Sequence, residues 1–95
     1  MKREDVLAAA LEMVNKSRQD DYGPPEYSFK LIARFWTDYL RGIGLLDGNR
    51  LCSRDVSAMM ILLKVARLTA SKEKTDNWVD VAGYAACGGE LEDGK

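Results

Sequence analysis

The chain has 95 residues, 46% of them hydrophobic, with 14 basic and 15 acidic side chains and a net charge of -1. That length supplies roughly one core, and the apolar content is that of a globular chain rather than a disordered one. The charge balance excludes broad binding to nucleic acid or anionic membrane, and the absence of histidine excludes imidazole acid–base chemistry, histidine–metal sites and Ser-His or Cys-His nucleophile pairs.

A first helix is expected from about Arg3 to Gln19, with Val6, Leu7, Ala10, Leu11, Met13, Val14 and Ser17 on one face. Glu12 and Asp5 fall on its solvent side. It stops at Asp20-Asp21-Tyr22-Gly23-Pro24-Pro25, where glycine can turn left-handed and proline cannot continue a helix. A second helix follows from about Glu26 to Arg41, turning Phe29, Ile32, Ala33, Trp36, Tyr39 and Leu40 inward. Gly42-Ile43-Gly44 and Asp47-Gly48-Asn49 break it.

The third helix starts at Ser53, a suitable N-cap, and runs to about Ser71. Its apolar positions cover nearly the whole circumference, which suits a central helix or one in a subunit interface. Asp55 complements the dipole at its start. The fourth helix begins at Thr75 and ends near Cys87, where Gly88-Gly89 stops it. No segment reads as a strand. The fold class is therefore all-α: a compact bundle of about four helices in one domain over residues 1–88, with 89–95 as a flexible acidic tail.

Cys52 and Cys87 stand apart with no C-x-x-C spacing, so zinc and thioredoxin-like readings fail and packed, reduced thiols are expected. No apolar run approaches the roughly 20 residues of a membrane-spanning helix. Met1-Lys2-Arg3-Glu4-Asp5 lacks the apolar segment of a secretion signal, and a cytoplasmic location is expected. Any catalysis must use carboxylates, amines, hydroxyls or a metal held by oxygen.

The most informative pattern spans the last two helices. Lys64 and Arg67 lie three apart inside the most apolar run of the chain, Val56 to Leu68. Cations there need anions, because an unpaired buried charge is very costly. Asp76 and Asp80 offer two carboxylates one turn apart on the next helix. Asp76 also fits a first-turn dipole role, whereas Asp80 lies a turn further in and shares its face with Gly83, Tyr84 and Cys87. Gly83, mid-helix, suggests close approach by another segment or a ligand.

Arg18 and Tyr22 belong to an Arg-x-x-Asp-Tyr-Gly turn. The guanidinium can cap its own helix or grip a phosphate or carboxylate. The stripe Phe29, Trp36, Tyr39 reads as core, with nucleobase stacking as the lesser alternative. No glycine-rich phosphate loop exists.

Taken in order, Arg18-x-x-Asp-Tyr-Gly, an aromatic helix, Met60-x-x-x-Lys64-x-x-Arg67 and Asp76-x-x-x-Asp80-x-Ala-Gly-Tyr84 resemble a family of small phage and prophage proteins. More distantly, the chain looks like the all-α nucleoside triphosphate pyrophosphohydrolases of the MazG type. That resemblance implies an oligomeric helical bundle in which Asp76 and Asp80 hold Mg2+ and the metal orients a triphosphate for attack by water. The MazG-like pattern departs at one place: the glutamates of the preceding helix are missing, and Lys64 and Arg67 occupy the corresponding spacing.

Two functions follow. One is a binding or interaction module, a homodimer that engages a nucleotide or a host protein. The other is a magnesium-dependent nucleotide pyrophosphohydrolase, with Arg18, Tyr22, Lys64 and Arg67 as phosphate-binding candidates and Asp76 and Asp80 as metal ligands.

Overall fold

Four helical segments account for most of the described residues, 1–17, 23–70 and 75–92, of the computed structural model. Helix α1 spans Arg3–Glu12 and continues as a π-helical stretch, Met13–Ser17. The Asp5 carboxylate accepts the Lys2 backbone N–H at 3.1 Å and closes its first turn. Ala10 is buried, but Leu7 and Leu11, expected on the inner face, are 66% and 60% exposed. The wider π turn presents Val14 to the core instead.

Helix α2 spans Pro25–Gly42. Proline suits its first position because the missing N–H would have no intrahelical partner there. The end expected at Gly42-Ile43-Gly44 forms through Gly44, at φ +81°. Its N–H reaches the Arg41 carbonyl at 3.0 Å and the Leu45 N–H reaches the Leu40 carbonyl at 2.8 Å, which closes a Schellman turn. Phe29 and Ala33 are buried as expected, and Thr37 joins them. Tyr39 does not: it is 66% exposed, a residue too far around the helix to reach the neighbouring layer.

Helix α3 spans Ser53–Ala70 and α4 spans Thr75–Leu91. The cap of α3 is Cys52 rather than Ser53. Asp55 accepts the Cys52 backbone N–H at 2.8 Å and its thiol at 3.3 Å, while Ser53 is buried in the first turn. Neither cysteine is in a disulfide; Cys87 is buried and Cys52 half-buried.

α4 corrects the expected stop at Gly88-Gly89. It runs through both glycines to Leu91, which is buried in the core with Phe29, Ala33, Val56, Tyr84 and Cys87. α3 packs against α4, α1 lies against α4, and α2 against α3. α3 is not enclosed: Val56 and Ser57 are buried, whereas Leu62 is 66% exposed and Leu63 and Val65 45%. Among the described residues there is no strand, and no helix is long and apolar enough to cross a membrane.

Within α4, Gly88 serves helix contact rather than helix ending. A Cβ on Gly88 would lie 3.0 Å from the Ser57 Cβ, tighter than packed side chains normally approach. Gly83, expected to mark a close approach, would meet, among the described residues, only Val14 Cγ1 at an ordinary 3.6 Å. Ser57 is 2% exposed and its Oγ has no hydrogen-bond partner among the described residues, a local cost of about 1–3 kcal/mol.

Adding a methyl group should therefore separate two adjacent positions. Gly88→Ala should destabilise by about 1–3 kcal/mol through overpacking, despite the roughly 1 kcal/mol that alanine gains in a helix. Gly89→Ala, with open space around its Cβ, should stabilise by up to about 1 kcal/mol. Urea denaturation of the two variants checks the contrast.

Candidate functional site

An amine in an apolar helix must either reach water or find an anion, and Lys64 does the second. Its Nζ lies 3.0 Å from Asp80 Oδ2, with the two side chains only 13% and 15% exposed. α3 contributes the lysine from its half-buried side, and α4 contributes the aspartate one turn before Gly83 and Tyr84. Both sites keep a little water contact, so the pair is shielded without being sealed. At such separations and reduced dielectric the attraction is several-fold stronger than at a free surface.

The other members of the expected cluster lie elsewhere. Arg67 and Asp76 are exposed, and no ion pair joins either to a described residue. The network of two cations and two carboxylates therefore reduces to one pair. The reason is helical geometry: three residues beyond Lys64, Arg67 has rotated towards solvent, and Asp76 sits in the first turn of α4, where the dipole suffices to favour it. Arg18 and Tyr22 lie outside the described residues. No group of three or more acidic or cysteine side chains that could hold a metal is found among the described residues.

Lys64 also lines a cavity of about 450 Å³ between α2 and α3, closed on one side by Tyr84 of α4. Phe29, Ile32, Val56 and Met60 supply most of its apolar wall. The Phe29 and Tyr84 rings stand 6.1 Å apart and tilted by 33°, within the range of favourable aromatic pairs. The cavity thus places one amine, already neutralised by Asp80, at the edge of an apolar recess. It can receive an apolar group and offer limited polar recognition. Of the two carboxylates expected to hold magnesium, Asp80 is held by Lys64 and Asp76 is exposed.

A second ion pair, Arg54 with Glu92, is solvent-exposed and joins the start of α3 to the end of α4. The hydrogen bond that Arg54 donates to Glu92, then the charge of that carboxylate, raises the guanidinium above its ordinary value. Sequence reasoning assigned residue 92 to a loose tail and missed this contact. It also missed Lys30 and Arg34 of α2 and Arg50 of the following loop, which face a separate cleft. The four-residue step from Lys30 to Arg34 was the available signal, since it places both on one side of a helix.

Comparison with known proteins places the chain in a family. A model described as Domain of unknown function (DUF6378) matches residues 5–92. The Gene 55 protein of Mycobacterium phage L5 is 39% identical over 80 residues, which cover 84% of this chain and 47% of that protein. The Gene 55 protein of Mycobacterium phage D29 is 33% identical over 84 residues, 88% of this chain and 51% of that protein. The chain spans about half the length of these curated relatives. No solved structure matches it.

Removing one side of the shielded pair should be costly. Asp80→Asn should lower stability by about 2–4 kcal/mol, below the full cost of a sealed pair because some exposure remains, and Tm by roughly 10–20 °C. Asp76→Asn, at an exposed position, should change stability by less than about 1 kcal/mol. Calorimetric melting of both variants makes the comparison.

Proposed function

The chain belongs to the DUF6378 family, and from that premise we propose that it is a phage-type interaction module that binds without hydrolysing. The observation that carries this reading is the 3.0 Å contact between Lys64 and Asp80. Magnesium is bound by oxygen ligands in near-octahedral geometry, usually one or two carboxylates plus water and substrate phosphate. Here an ammonium already occupies the more buried carboxylate of the expected pair. A metal at Asp80 would have to displace Lys64 and leave its charge unpaired in an apolar setting, which outweighs the gain from a single good ligand. The MazG-like ancestry implied by the sequence then concerns the bundle, and the metal chemistry has been replaced by an internal ion pair.

The recess beside Lys64 suits an apolar side chain of a partner protein. Its walls are aliphatic and aromatic, and the neighbouring rim carries Leu31, 51% exposed. The module functions as a homodimer in the bacterial cytoplasm. Met59, Leu62, Leu63 and Ala66 all face solvent on α3, at the steps of three and four residues that make one helical stripe. A second copy covers that stripe.

Two measurements test the proposal. Incubation with a panel of nucleoside triphosphates and magnesium should release no pyrophosphate; magnesium-dependent release abolished by Asp80→Asn would establish the hydrolase instead. Light scattering should give a dimer that Leu62→Glu shifts towards monomer, and a wild-type monomer at micromolar concentration would remove the dimer.

A further inference from the structure

Away from the Lys64 recess, α2 and the loop before α3 enclose a cleft of about 520 Å³, a volume within the range of small-molecule sites. Lys30, Arg34, Arg41 and Arg50 line it against one carboxylate, Asp38. This concentration of positive charge occurs in a chain whose net charge is -1. The ion pairs among the described residues are Arg54–Glu92 and Lys64–Asp80, so none of the four cleft cations is neutralised by a described residue.

The cleft is held in shape by hydrogen bonds. Arg41 Nη2 donates to the Asn49 carbonyl at 2.7 Å. The buried Thr37 hydroxyl donates to the Ala33 carbonyl at 2.7 Å and accepts the Leu51 N–H at 2.9 Å. These bonds strap the loop that carries Arg50 onto α2, whose Lys30 and Arg34 line the same cleft. Groups fixed before a ligand arrives lose less freedom when it binds.

We infer that this cleft binds a compact oligophosphate group, with Arg34 and Arg50 as its principal grips. Guanidinium forks match phosphate oxygens and remain charged at all ordinary pH values. A carboxylate ligand would use one or two of these cations, whereas linked phosphates bring enough negative charge and enough acceptors to engage most of them. Asp38 lies between Arg34 and Arg41 on the same helix face and would repel a phosphate backbone running along α2. A short anion seated between α2 and Arg50 avoids it. The site is separate from the Lys64 recess and does not depend on the function assigned there.

Calorimetric titration of the full chain with inorganic tripolyphosphate tests the inference. The wild type should bind saturably, and more weakly as salt is raised. Arg34→Gln with Arg50→Gln should weaken binding by about tenfold or more; both side chains are exposed, and an unchanged melting curve in the absence of ligand certifies the fold. Lys2→Gln with Arg3→Gln removes the same charge at a distance and should leave affinity unchanged. Absence of binding, or equal weakening by the two double variants, overturns the site. A single-stranded oligonucleotide that binds through the same two arginines more tightly than tripolyphosphate overturns the compact ligand.

Discussion

One lysine–aspartate contact, 3.0 Å long and mostly shielded from water, fixes how α3 and α4 lie against each other. It stands in a ladder. Moving from Lys64 back to Ser57 along α3 corresponds to moving from Asp80 forward to Gly88 on α4, where a missing side chain lets the helices touch. A few residues further, Arg54 meets Glu92. Steps of seven on one helix against eight on the other span nearly equal lengths at about 1.5 Å per residue, as two antiparallel helices in register require. The charge pair is directional, the glycine contact permits only close approach, and the outer pair adds little because solvent screens it. Register therefore depends most on the inner pair, and the core of Phe29, Val56, Tyr84, Cys87 and Leu91 is assembled around that register.

The same contact shapes the chemistry available. A buried aspartate is a resource that can hold a metal, position a water or balance a cation, but it does one of these well at a time. Balancing Lys64 uses the carboxylate. What remains at this end of the bundle is an apolar recess with a neutralised rim, a surface suited to recognition. The unbalanced positive charge of the molecule collects instead on α2 and the loop after it, where no described carboxylate closes on the arginines. The apolar recess and the cationic cleft are thus lined by different residues.

Much of this was legible in the sequence. Helical periodicity and proline or glycine punctuation placed all four helix starts to within a residue, and the shared face of Asp80, Tyr84 and Cys87. That Lys64 would meet a carboxylate of the next helix followed from the cost of an orphaned charge; which of Asp76 and Asp80 it would be did not. Three things were not readable. Gly88-Gly89 looked like a stop signal because local propensity disfavours glycine in helices; only the crossing with Ser57 reveals why the helix tolerates it. Arg67 and Asp76 looked like partners because spacing alone does not tell which way a side chain faces relative to a third helix. The cleft cations come from two segments, α2 and the loop that carries Arg50, and their convergence depends on the Thr37 and Arg41 straps, which sequence spacing does not encode.

A double-mutant cycle tests the central interaction most directly, because it removes the separate costs of each truncation. Lys64→Met, Asp80→Leu and the combined variant would be compared with the wild type by urea denaturation. The account requires a coupling energy of about 2 kcal/mol or more between the two positions, with the apolar double variant recovering much of the stability lost by either single one. Additive effects, with coupling below about 0.5 kcal/mol, would mean that the pair does not organise the bundle.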